Sequence, residues 1–277
     1  MLQLADLHTH TRCSDGALTP EELLARAKQV GISVLSVTDH DSIDGVEEAC
    51  RIGKSIGVNV LPGIEMTVTL NQREIHILGY CFDPSHFTLR SCLELFRDQR
   101  LQRAERMVKK LNNMNVPVKM ETVLDCAGKA VVCRPHIAEA LVNQKFVSSY
   151  SEVFQRYIGD WAPAYERMPE FPLEKAIEVI EDAGGLSFLA HPGCSINEKE
   201  LLSIIKSGID GIETIHPSHT TEKQRYYRGI VNEYYLLESG GSDFHGGMRG
   251  DDKNLGNHGI SHQAVERIQQ RLAQTLA

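Results

Sequence analysis

Wherever this chain completes a short apolar run, a histidine or a carboxylate stands on the run or within the next few residues. The run over 2–7 is followed by His8, His10 and Asp15. The run over 34–37 is followed by Asp39, His40 and Asp41, and the run over 58–61 by Glu65. Strand-like Glu74-Ile75-His76-Ile77-Leu78 carries His76, the run over 186–190 leads into His191, and the run over 234–239 into Asp243 and His245. Helical or strand periodicity does not by itself demand polar groups at these places. In α/β sheets and barrels, the carboxyl ends of the strands converge on one crevice. The recurrence therefore constrains the chain to a βα-repeating architecture around a single polar centre.

The sequence between the runs reads mainly as helix. Thr19-Pro20-Glu21-Glu22 supplies a cap, a first-turn proline and a capping-box glutamate, and Leu23, Leu24, Ala27 and Val30 follow at helical spacing before Gly31. A second helix is expected over about 43–56, ended by Gly57. Later, Leu173, Ala176, Ile177, Ile180 and Ala183 lie on one helical face stopped by Gly184-Gly185. Asn197 caps a helix over about 198–206, and 211–215 is a further strand. Between 87 and 168 this rhythm breaks into long polar helical sequence, which reads as an insertion. The expected fold is thus α/β, with barrel segments 1–86 and 169–277 and a helical insertion over 87–168.

Composition narrows the functional classes. The 277 residues, 42% hydrophobic and 24% charged, can bury a core without disulfides. The formal net charge of -8 argues against a broad basic platform, so no binding of long duplex nucleic acid is expected. Bound cations would still attract short phosphorylated ligands locally. The seven cysteines lack CxxC spacing and read as reduced thiols, with Cys13 and Cys194 near the polar centre as small filler. The opening MLQLADLHTH has no basic start or long apolar run, and no stretch reaches the ~20 apolar residues of a membrane span. A cytoplasmic protein without a membrane partner is expected. Neither a GxSxG elbow nor a P-loop is present.

Metal best explains the polar centre. His8-Thr9-His10 places two imidazoles on the same side of an extended strand, and Asp243-Phe244-His245 repeats that geometry with a mixed pair. Imidazole mixed with carboxylate, without thiolate, suits Zn, Mn or Fe in a catalytic site, whereas a structural zinc favours cysteines. Asp39 and Asp41, flanking His40, read as partners that support the ligands or as helix caps.

Asp6-Leu7-His8-Thr9-His10 with Ser14-Asp15-Gly16, then Thr38-Asp39-His40-Asp41, Pro62-Gly63-Ile64-Glu65 and His76-Ile77-Leu78-Gly79 come in order along the chain. Ala190-His191-Pro192-Gly193 and Gly241-Ser242-Asp243-Phe244-His245 complete the series. Together they resemble the PHP (polymerase and histidinol phosphatase) family. That resemblance implies a distorted (β/α)7 barrel and a centre of two or three divalent cations. It implies one cation site of His8, His10, Glu65 and Asp243, with Glu65 bridging to a second site completed by His76 and His191. Asp15, His40 and His245 would form a third, a position where some family members carry histidine in place of Asp15.

Within the insertion, Arg134-Pro135-His136-Ile137-Ala138 and Gly159-Asp160-Trp161-Ala162-Pro163-Ala164-Tyr165 resemble the branch containing nucleoside 3′,5′-bisphosphate phosphatases and the short-RNA exonuclease RNase AM. The implied activity is metal-dependent hydrolysis of phosphate from nucleotides, nucleoside 3′,5′-bisphosphates above all, with 5′–3′ trimming of short oligonucleotides. A metal-bound hydroxide would attack, with no side-chain nucleophile. Arg134 would offer its fork to a phosphate and His136 a hydrogen bond to it, with the insertion covering the active site. His219, in the Pro217-Ser218-His219 turn, reads equally as a substrate contact or as plain loop. A histidinol-phosphate-type phosphomonoesterase and a non-catalytic metal-stabilised module are the alternative readings.

Overall fold

The computed structural model describes residues 4–193, 195–247 and 249–275, so Leu2, Gln3 and Cys194 lie outside the described residues. Strand β1 (Leu4–Thr9), helix α1 (Pro20–Gln29), strand β2 (Val34–Val37), helix α2 (Val46–Ile56) and strand β3 (Asn59–Leu70) follow the expected rhythm. Both halves of the capping box at Thr19 and Glu22 are formed at the start of α1, which buries Leu23, Leu24 and Ala27 against Leu35 and Val37 of β2. Strands β1, β2 and β3 are parallel neighbours.

Strand β3 departs from the expectation. It does not end at Pro62-Gly63 but runs to Leu70, so Glu65 lies within a strand and not after one. Pro62, which has no N–H to donate, stands at the last pair of the β2–β3 ladder with its carbonyl accepting from the Cys81 N–H, and Gly63 lets β2 approach closely: a Cβ there would come within 2.0 Å of Ser36 Oγ. Asn71 and Gln72, at φ 48° and 62°, then form a two-residue hairpin turn of the left-handed kind that matches strand twist. Strand β4 (Arg73–Tyr80) returns antiparallel and pairs antiparallel again with β5 (Leu186–Leu189). Among β1 to β7 this is the reversed strand, and it distorts a run of otherwise parallel neighbours.

After β5 come α8 (Glu198–Lys206), β6 (Gly211–Ile215), α9 (Thr221–Glu233) and β7 (Leu237–Gly240), with α7 (Leu173–Asp182) preceding β5. The expected strand start at Tyr234 moves to Leu237, because Tyr234 caps α9 and Tyr235 turns at φ 54°. Helix α9 was not foreseen. Strands β1 to β7 lie in chain order, each bonded to the next, and a two-residue β8 (Ile260–Ser261) joins β1 antiparallel before α10 (His262–Thr275). The eight-stranded sheet nearly closes. Beyond β7, the Asp243 N–H donates to the His8 carbonyl at 2.9 Å and the His10 N–H to the Phe244 carbonyl at 2.9 Å. Gly241 permits that seam, since a Cβ on it would meet His8 N at 2.4 Å.

The segment between β4 and α7 holds α3 (Phe87–Asn113), α4 (Met120–Ala127), α5 (Arg134–Asn143) and α6 (Tyr150–Val153), followed by one π-helical turn (Phe154–Ile158). Helix α3 spans two cores. Leu89, Leu93 and Phe96 pack with barrel residues such as Val68 and Ile77, whereas Ala104, Met107 and Leu111 pack with Val123, Ile137 and Leu141. Between these halves, buried Arg100 donates to Asp41 Oδ2 (2.7 Å) and Thr67 Oγ1 (3.0 Å), and Arg103 donates to Glu74 Oε1 (2.7 Å). Among the described residues no helix is long and apolar enough to cross a membrane. Six cysteines in the described residues are free thiols.

Candidate metal centre

Glu65 stands at the middle of the polar cluster, buried on the same face of the β3–β4 ladder as His76. Its two oxygens meet different imidazoles. Oε2 lies 3.3 Å from His8 Nε2, 3.3 Å from His10 Nε2 and 3.0 Å from His40 Nδ1. Oε1 lies 2.8 Å from His76 Nδ1 and 2.8 Å from His191 Nε2. Asp243 Oδ1 approaches His8 and His10 at 3.4 and 3.1 Å. Asp15 Oδ1 is 3.5 Å from His245 Nε2 and 3.9 Å from His10 Nδ1. All nine residues expected at the centre are thus brought together. His40 reaches two carboxylates, with Nδ1 3.0 Å from Glu65 Oε2 and Nε2 3.9 Å from Asp15 Oδ2.

The cluster's polar atoms fit cations better than they fit one another. His8 Nε2, both ring nitrogens of His10, His40 Nδ1, Glu65 Oε2 and His245 Nε2 are buried without a hydrogen-bond partner. An unpaired buried polar atom costs about 1–3 kcal/mol, so six around one point is a heavy local penalty that ligation would relieve. Among the described residues, four overlapping groups place ligand atoms within 4.8 Å of one another: His10, Asp15, His40 and His245; His8, His10 and Asp243; His8, Glu65 and His191; and His40, Glu65 and His76. The donors are imidazole and carboxylate, the mixture of catalytic transition-metal sites.

Electrostatics keeps the carboxylates ionised. Burial alone would push the Glu65 carboxyl up, but the imidazoles of His40, His76 and His8 outweigh it and hold it well below the usual range. Asp243 is likewise held low, with burial outweighed by His245 and His8. Burial drives the His40 imidazole well below its ordinary value, against the pull of the Glu65 and Asp15 carboxylates.

The surrounding residues fix these ligands in place. Asp39 Oδ1 accepts from Thr11 N–H (2.7 Å) and Ser14 hydroxyl (2.5 Å), shaping the loop that carries Asp15. Asp41 accepts from Thr67 N–H at 2.7 Å and from Arg100. Neither caps α2, whose N-cap is Gly45. Asp6 Oδ1 accepts the N–H groups of His8 (3.3 Å) and Ser242 (2.9 Å) across the seam, and burial pushes its carboxyl up to about 7. His191 and Asp243 sit at φ 24° and 49°, strained positions costing about 1–3 kcal/mol each. Their N–H bonds, to Glu213 Oε2 at 2.6 Å and to the His8 carbonyl, hold them there.

Two residues, Glu213 within β6 and His216 just after it, escaped the sequence reading. Glu213, fully buried, lies 2.9 Å from His8 Nδ1, leaving Nε2 aimed at the cluster. His216 Nε2 lies 3.3 Å from Asp243 Oδ2, and its Nδ1 lies 2.7 Å from Ser218 Oγ. For His216, the first residue after the strand, that position was the available signal.

The expected substrate contacts divide. Arg134 lines a cavity of about 130 Å³ together with His40, His76 and Phe154, its guanidinium 2.6 Å from Asp160 Oδ1. His136 lines an adjoining cavity of about 450 Å³, which shares Asp15, Pro135 and Arg249 with the smaller one. Its Nδ1 accepts the Cys133 N–H at 3.0 Å. His219 places Nδ1 3.0 Å from the Thr214 carbonyl, and Nε2 accepts the Gly193 N–H at 3.0 Å. Both of its ring nitrogens are engaged by backbone groups.

The PHP domain family matches residues 6–158, more than half of the chain. The chain belongs to the PHP family. A 3′,5′-nucleoside bisphosphate phosphatase of Chromobacterium violaceum is 32% identical to this PHP chain over 246 residues, covering 87% of it and 86% of that protein. The 5′-3′ exoribonuclease Rnm of Escherichia coli is 32% identical over 249 residues, covering 87% and 84%. A Bifidobacterium adolescentis structure described as a metal-dependent phosphoesterase superposes with a TM-score of 0.90 at 30% identity, covering 97% of this chain and 96% of that one. This PHP chain is accordingly a hydrolase of the metal-dependent phosphoesterase kind.

Proposed function

We propose that this PHP chain hydrolyses phosphate from nucleotides, with nucleoside 3′,5′-bisphosphates as the principal substrates and 5′–3′ trimming of short oligonucleotides at the same centre. The observation that carries the reading is Glu65, whose two oxygens serve two separate sets of imidazoles beside a cavity walled by Arg134. The relatives named for nucleotide and short-RNA substrates support it, as each matches most of this chain.

His8, His10, Glu65 and Asp243 would hold one ion, Glu65, His76 and His191 a second, and Asp15, His40 and His245 a third, with Mn, Zn or Fe all compatible with the donors. Divalent cations bound there would polarise the phosphoryl group and acidify water. The chain's own groups set up that step. Glu213 fixes the His8 ring so that Nε2 faces inward, and Asp39 fixes the loop bearing Asp15. Arg134 would leave Asp160 for the more highly charged phosphate, to which a guanidinium offers a planar fork. The helical unit over 87–168 would cover the site, since residues of α5 and the π-helical turn line the smaller cavity opposite His40 and His76.

A substrate series tests this reading. Phosphate release should be efficient from adenosine 3′,5′-bisphosphate, and release of 5′-mononucleotides should be efficient from 5′-phosphorylated RNA of a few nucleotides and fall as the RNA lengthens or becomes duplex. Efficient internal cleavage of long duplex, with no activity on short substrates, would overturn it.

A further inference from the structure

The two cavities beside the metal centre differ in size and share a wall. The smaller, about 130 Å³, touches His40 and His76. The larger, about 450 Å³, lies between the loop after β1 and helices α4 and α5, with His245 among the residues that line it. Small-molecule sites occupy roughly 300–1,000 Å³, so the larger cavity has room for a nucleoside and the smaller has room only for a compact group. Arg249 lines both.

Arg249 is incompletely used by the fold. Its Nη2 donates to Asp15 Oδ2 at 2.7 Å and approaches the Asp15 carbonyl at 3.3 Å. Among the described residues its Nε and Nη1 have no acceptor. A guanidinium carries five N–H donors in a rigid fork, so Asp15 orients the group and leaves donors for an anion. The other Asp15 oxygen faces His245 and His10. One carboxylate therefore lies between the cluster and the arginine, and an oxyanion drawn to the cluster would meet Arg249 as well.

We propose, resting on the nucleotide reading above, that the larger cavity seats the nucleoside portion of the substrate and that Arg249 grips the phosphate where the two cavities join. Arg249 and Arg134 then approach that phosphate from the barrel loop and from the insertion respectively. Lys129 and Arg12 on the larger cavity's wall add positive charge suited to a second phosphate on the same nucleoside.

The cation-loaded enzyme provides the test. Arg249→Ala should raise the Ki of inorganic phosphate and the KM of adenosine 3′,5′-bisphosphate by about 10- to 150-fold, the range for a lost charge-assisted contact. Arg249→Lys should recover part of this, because it keeps the charge without the fork. Cation content by elemental analysis should stay at the unaltered value in both. Occupancy of the larger cavity is read separately at Cys126, a free thiol on its wall. Adenosine 5′-monophosphate should slow Cys126 alkylation, mapped by mass spectrometry, while inorganic phosphate should not. An unchanged phosphate Ki in Arg249→Ala overturns the grip, as does a rise that follows a parallel loss of cations, which would mean that Arg249 only positions Asp15. Alkylation equally fast with the mononucleotide overturns the seat. The nucleotide reading itself would fail differently, as an absence of turnover of every nucleotide by the unaltered enzyme.

Discussion

A carboxylate that does not ligate can still set how well a neighbouring histidine does. Glu213 lies 2.9 Å from His8 Nδ1 and also accepts the His191 N–H, so it orients two of the proposed ligands. Glu213→Gln should weaken cation binding about 10- to 100-fold, read by competition with a chelator, while leaving the fold intact. Unaltered affinity would reduce Glu213 to a packing role. Arg134→Ala should lower kcat/KM on nucleotides by roughly 10- to 150-fold without loss of metal, and unchanged kinetics would return Arg134 to a simple partner of Asp160. The sequence made His8 and His10 legible because period two puts the pair on one side of an extended chain, whereas Asp243 and His245 join the cluster from a loop beyond β7 in which Asp243 turns at φ 49°. Glu213 and His216 are three residues apart and match no such pair. Arg249 was illegible for another reason: only the folded loop brings it to Asp15, 234 residues away in sequence.

At the scale of the element, the junction between α3 and the barrel depends on Glu74. Its carboxylate accepts from Arg103 (2.7 Å), Tyr165 (3.0 Å) and the Met168 N–H (3.1 Å). Burial raises this carboxyl, but the Arg103 and Arg134 charges and those hydrogen bonds outweigh it and hold it below its ordinary value of 4.5. A depressed carboxyl contributes stability above the unfolded value, and that stability is lost as pH falls through the folded value. Glu74→Gln should therefore destabilise by about 3 kcal/mol at neutral pH, leaving Arg103 buried without its counter-charge. The difference from the unaltered protein should shrink below pH 4.5 in denaturant titrations, and a difference independent of pH would exclude the ionic account. The strands over 34–37, 186–190 and 211–215 were legible as compact apolar runs. The length of β3 was not, because Pro62-Gly63 reads locally as a stop while tertiary pairing carries the strand through it. The antiparallel sense of β4 was equally hidden, since Asn71-Gln72 turns without a glycine.

For the whole molecule, the net charge of -8 leaves affinity for nucleic acid to the cation cluster and a few arginines. Binding of RNA should consequently show a shallow salt dependence, because few phosphates are neutralised at once. A steep slope, comparable to that of proteins making six to ten phosphate contacts, would show an extended basic track that this account does not contain. The central claim is that Glu65 serves more than one cation in a centre that hydrolyses nucleotide phosphate. Elemental analysis and phosphate release from adenosine 3′,5′-bisphosphate, measured on the same preparations of the unaltered protein and of Glu65→Gln, test it most directly. The account predicts at least two transition-metal ions per chain with turnover abolished by chelator, and loss of both metal and activity in Glu65→Gln. Full activity in chelator with one ion or none, or Glu65→Gln retaining all its metal and normal turnover, would contradict it.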